Sequence, residues 1–157
     1  MKTQLFTLLA LMVLLPSFAQ FTTGTVTLTG TMSIKIDTDA TKATLTLTGP
    51  STTSLAIGFG GLSMGAVTDM FVWSSSSNRD YTSSGYSTPS PDAVQSWTVV
   101  SDDVVSTTRT VVATRALTSS GDYTFVNSSA TIPIIYSLNG STTFGQHGTK
   151  GSKNLTR

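Results

Sequence analysis

The sequence predicts an all-β protein, an Ig-like antiparallel β-sandwich of about eight or more strands. Three observations carry that expectation. Thr and Ser supply 53 of the 157 residues. Charged residues make up only 11% and Glu is absent, so solvent-facing helix formers are scarce. Apolar residues also recur at every second position in several short runs bounded by Gly, Pro, Asp and Ser. Thr, Val, Ile, Tyr, Phe and Trp suit a pleated, half-buried surface, so composition and periodicity agree.

The first nineteen residues stand apart from the fold. Lys2 gives a positive start, residues 5–15 are apolar, and Ser17-Phe18-Ala19 forms a small-residue cleavage site before Gln20. Together these features describe a secretory signal peptide over residues 1–19. The apolar stretch is shorter than the roughly 20 residues a spanning helix needs, and no Cys follows that could accept a lipid. The mature chain is expected to begin at Gln20 and to be secreted, periplasmic or extracellular, with no membrane span. A single sandwich is expected over residues 20–148, followed by a flexible polar tail at 149–157.

Within the sandwich, Val26, Leu28, Met32, Ile34 and Ile36 alternate with Thr, Ser and Lys, which predicts a strand or hairpin. Leu45 and Leu47, set between threonines and ended by Gly49-Pro50, predict the next strand, and Leu55, Ile57 and Phe59 another. Residues 69–73 and 96–100 are short apolar runs, and residues 109–117, 122–126 and 131–138 complete the series. The longest irregular stretch, residues 74–91, holds four consecutive serines, Arg79-Asp80-Tyr81, Gly85-Tyr86 and two prolines. Loops of that length in a compact domain are usually functional or disordered.

The chemistry is bounded mainly by exclusion. A net charge of +1, with no run of Lys or Arg, argues against a nucleic-acid partner. Zero Cys excludes disulfides, Cys-ligated zinc, iron–sulfur clusters and covalent c-type haem attachment. With Ser so abundant a Ser–His pairing with His147 carries no information, and without Glu a glycosidase pair would have to come from eight Asp residues, mostly in turn-like settings. Asp102-Asp103 reads as a turn rather than a calcium pair. The chain is therefore expected to be no enzyme itself, any catalysis belonging to a partner. Two segments remain. Residues 141–148 place the only His, His147, between glycines after an aromatic, and residues 57–66 place Met64 in a Gly-rich loop between two strands.

Taken in order, Gly58-Phe59, Met64, Ala66, Asp69 leading into Phe71-Val72-Trp73, Asp80-Tyr81, Gly85-Tyr86, Pro91-Asp92, Trp97, Arg115-Ala116-Leu117 and Phe144-Gly145-Gln146-His147-Gly148 resemble the DOMON family. The resemblance spans nearly all of residues 22–148. It implies an extracellular Ig-like sandwich that binds haem b or sugars, similar to the cytochrome domain of cellobiose dehydrogenase. By that resemblance, Met64 and His147 fall on the axial ligands of a non-covalent haem b. Met70, the competing sulfur, is expected in the sandwich core. Arg79, Arg115 and Tyr86 are the open candidates for the haem propionates. The implied function is single-electron transfer to or from a redox partner protein or small molecule. The alternative is a haem-free module that holds a carbohydrate or other small ligand through the Tyr-bearing 74–91 loop.

Overall fold

The structure, a computed structural model, describes residues 20–157, so the expected signal peptide at 1–19 lies outside the described residues. Those residues form twelve strands: β1 (Phe21–Thr22), β2 (Val26–Thr29), β3 (Met32–Thr38), β4 (Lys42–Pro50), β5 (Leu55–Phe59), β6 (Asp69–Trp73), β7 (Asp80–Thr82), β8 (Ser90–Pro91), β9 (Thr98–Val105), β10 (Thr108–Ala116), β11 (Ile132–Leu138) and β12 (Thr149–Leu155). A single 3-10 turn, Met64–Ala66, lies between β5 and β6. The first sheet has the order β1-β3-β4-β10-β9, with β2 also paired to β3; the second has the order β12-β11-β5-β6-β7-β8. Every pairing is antiparallel.

Period-two patterning explains the core. Met32, Ile34 and Ile36 of β3, Ala43, Leu45 and Leu47 of β4, and Val111 and Ala113 of β10 turn inward from the first sheet. They meet Leu55, Ile57 and Phe59 of β5, Phe71 and Trp73 of β6, and Ile132, Ile134 and Leu138 of β11. The threonines between them, Thr44, Thr46, Thr48, Thr110 and Thr114, stay half-exposed on the outer face, as one-sided sheets require. An aromatic cluster fills one end. Phe59 lies between Trp97, Tyr123 and Phe125 at centroid distances of 6.0, 6.1 and 5.2 Å.

Several expectations need correction. Residues 122–126 are not a strand: the Tyr123 amide donates to Asp69 Oδ2 and the Phe125 amide to the Leu117 carbonyl, so no ladder forms although Phe125 is fully buried. Asp102-Asp103 is no turn but the middle of β9, where Asp102 accepts a 2.7 Å bond from Trp73 Nε1 and pairs with Arg109. The 74–91 loop is partly ordered, because β7 and β8 extend the second sheet from β6.

The polar tail is also a correction. Residues 149–155 pair with β11 in unbroken register from Leu138↔Thr149 to Ile132↔Leu155. Lys150 and Lys153 blunt the free edge, as charges commonly do on edge strands, while Leu155 anchors the strand by full burial in the core. Arg157 then donates to the Ala130 and Val126 carbonyls. Leu155→Ala is expected to cost about 2–5 kcal/mol, the usual range for emptying a buried leucine site. Urea denaturation checks this; a flexible tail would give no change.

Candidate functional site

At its centre, along β5 and β6, the second sheet is buried on both faces. Across four strands, one outward-facing row runs Ile135, Gly58, Met70 and Tyr81, and the next runs Ser137, Ala56 and Val72. Ala56, Val67, Met70, Val72 and Tyr81 form a second apolar cluster there, joined by Ile135 and Phe144. Gly58 is small because it must be: a Cβ would lie 2.6 Å from Val67 Cγ1 and 2.8 Å from Ile135 Cγ1. This arrangement places Met70 on the outer face, not in the sandwich core as expected. Strand alternation is the reason, since its neighbours Asp69 and Phe71 take the inner face.

Two loops rise over this floor and enclose a cleft of about 750 Å³. One carries Met64 in its 3-10 turn, closed by the Ala66 amide donating to the Ser63 carbonyl at 3.0 Å. Its tight course depends on Gly60, at φ +88°, a conformation that disfavours side chains. The other loop, residues 139–148, carries Phe144 and His147. Its anchors are Gly148 N to the Leu138 carbonyl at 2.9 Å, Ser75 N to the Thr142 carbonyl at 2.8 Å and Asn139 Nδ2 to the Thr143 carbonyl at 2.8 Å. Phe144 packs on Tyr81 with centroids 5.2 Å apart. Met64 and His147, far apart in sequence, thus line one cleft, half-exposed and together with Met70.

The three candidate propionate partners separate. Tyr86 lines the cleft mouth and is 85% exposed. Arg79 instead bonds the Ser76 and Asn78 carbonyls, its guanidinium 6.0 Å from the Trp73 ring. Arg115 is fully buried between the sheets, paired with Asp69 and Asp122 at 2.9 Å each, which removes it from the cleft. Burial pushes the Asp69 carboxyl up to about 7 against the opposing pull of Arg115. Lys150, on β12, lines the cleft and was not singled out from sequence; among the described lining residues it is the lone Lys, Arg or Asp. Only the register of β12 brings it there, and no sequence motif marks that strand.

The site's frame is a sandwich of two antiparallel β-sheets. The structure is similar to the cytochrome b domain of pyranose dehydrogenase from Coprinopsis cinerea, with a TM-score of 0.59 and 12% identity, covering 80% of this chain and 76% of that one. No family model matches the chain, and no curated protein matches it in sequence. At that identity the likeness speaks to the fold. Among the described residues, no helix is long and apolar enough to cross a membrane.

Proposed function

We propose that the chain is a b-type cytochrome domain of the DOMON type, holding haem non-covalently in the cleft through Met64 and His147 and passing single electrons to and from a redox partner. One observation carries this reading: the only imidazole and a thioether from a separate loop line one largely apolar cleft. The volume lies in the usual range of cofactor pockets, about 300–1,000 Å³. The lining fits the group. Ala56, Met70, Ile135 and Phe144 supply apolar wall, and Lys150 supplies the positive charge available to propionates. Haem b bound there would supply a one-electron iron couple, with imidazole and thioether ligation raising its potential. The walls would exclude water, and the two side chains would leave no open coordination position, so the domain would carry electrons rather than activate oxygen.

An absorption spectrum after haem loading tests the reading. The expected result is a low-spin, six-coordinate spectrum with sharp α and β bands on reduction. Met64→Ala should keep haem but turn high-spin, bind carbon monoxide when ferrous and lower the potential. Met70→Ala should keep the low-spin spectrum and cost about 2–5 kcal/mol of stability. A high-spin Met70→Ala with an unchanged Met64→Ala would transfer the sulfur role to Met70. The second reading, a carbohydrate-binding module, draws on the exposed Tyr86 ring beside Ser87, Thr88 and Pro89 at the cleft mouth. A colourless protein that leaves haem free and binds sugar would establish it.

A further inference from the structure

Away from the cleft, the space between the sheets holds an ionic group that the proposed electron transfer does not use. Alternation along β10 turns Arg115 inward after Val111 and Ala113, and alternation along β6 and β7 turns Asp69 and Asp80 inward to meet it. Asp122 joins from the segment after β10, and one carboxylate oxygen from each of Asp69, Asp80 and Asp122 lies within 4.8 Å of the others. Asp69 and Asp80 are at most 2% exposed. Arg115 donates to Asp69 Oδ2, Asp122 Oδ2 and the Tyr123 carbonyl. Ser96 donates its amide to Asp80 Oδ2 and its hydroxyl to Asp122 Oδ2. Asp69 Oδ1 and Asp80 Oδ1 have no hydrogen-bond partner among the described residues.

Three carboxylates around one guanidinium leave a surplus of negative charge in a place where charge is costly. Two buried oxygens without a donor are what a bound proton would satisfy. The same group anchors the Met64 loop at both ends. Asp69 opens β6 just after that loop, and its Oδ2 also accepts the Tyr123 amide, while the Tyr123 ring lies against Gly60 at the loop's start. We propose that the Asp69–Asp80–Asp122 group, clamped by Arg115, is a proton-binding site whose occupancy governs how firmly the Met64 loop is fastened to the sandwich. The charged groups acting on it are Arg115 from β10, Asp122 from the following segment, Asp80 from β7, and Asp92, which acts on Asp80 from beyond β8. The raised Asp69 value agrees with a proton retained toward neutrality.

The test uses haem-free protein, so its outcome is independent of the cytochrome reading. With aspartate carboxyls labelled by carbon-13, NMR titration should show one carboxyl with its midpoint near 7, absent in Asp69→Asn, whose amide stands in for the protonated acid. Each pH unit above the midpoint cuts the protonated fraction about tenfold. Hydrogen exchange at residues 60–68, corrected for intrinsic rate, should therefore accelerate above pH 7 in the parent and much less in Asp69→Asn. If Asp69→Asn does not fold, Asp80→Asn serves instead: removing the Asp80 charge should lower the midpoint of that carboxyl rather than abolish it. Carboxyls that all titrate below pH 5, or exchange in the loop that ignores pH in the parent, would overturn the proposal. Added calcium chloride that abolishes the neutral titration would overturn it too, reassigning the group to a divalent cation.

Discussion

Alanine at His147 is expected to remove most haem affinity. The chain has one imidazole, and the remaining lining offers only thioether, hydroxyl, amide and one amine. Losing a group that merely orients a metal ligand typically costs 10–100-fold in affinity, so losing the stronger axial ligand itself should exceed about 100-fold. Titration of the apo variant with haem, followed at the Soret band, measures this. Because His147 is half-exposed in a loop held by other bonds, the variant's urea midpoint should stay near the parent's. Equal haem affinity in parent and variant would remove His147 from the site.

The largest effect on stability is expected from Arg115→Met. The methionine keeps much of the buried stem but leaves Asp69, Asp80 and Asp122 without a counter-charge between the sheets. Breaking a buried pair in this way costs about 3–5 kcal/mol, because the stranded charge is worse than no pair at all. The sign of the pH dependence follows from Asp69. Its folded-state value is raised from 3.8 to about 7, so the stability it contributes is complete below about 4 and is lost as pH rises toward 7. Without Arg115, whose charge opposes that rise, the folded-state value moves higher still. Denaturation midpoints for Arg115→Met should therefore recover on going from pH 7 toward pH 4, whereas a defect of packing alone would not respond.

β3 and β4 were legible because Met32, Ile34 and Ile36, and Leu45 and Leu47, alternate with Ser, Lys and Thr. That pattern registers when one face is dry and the other wet. β12 escaped notice because its sequence is polar on both faces and only Leu155 enters the core. Residues 122–126 misled for the opposite reason: Tyr123 and Phe125 alternate as in a strand, yet their amides are taken by Asp69 and the Leu117 carbonyl. In the candidate site, Met64 and His147 were singled out by residue type, whereas Lys150 was not. The misplacement of Met70 came from reading a continuous apolar run as core on one side, when β6 is buried on two. Arg115 stood among the candidate propionate partners because no sequence pattern reveals that it turns inward to pair with Asp69 and Asp122.

The pairing of β12 gives the cleft a wall that can peel. Lys150 and Ser152 line the cleft from a strand whose ladder is to β11 alone, so this wall belongs to the part of a fold that opens locally before the whole unfolds. Any occupant gripped by those residues is bound only while the strand is zipped. Occupancy then stitches the edge shut by mass action, by about 2.7 kcal/mol at a hundredfold excess over Kd. Conversely, unzipping β12, which must draw Leu155 out of the core, becomes an exit route, and the rate at which the edge unzips caps how long a tightly held guest can stay.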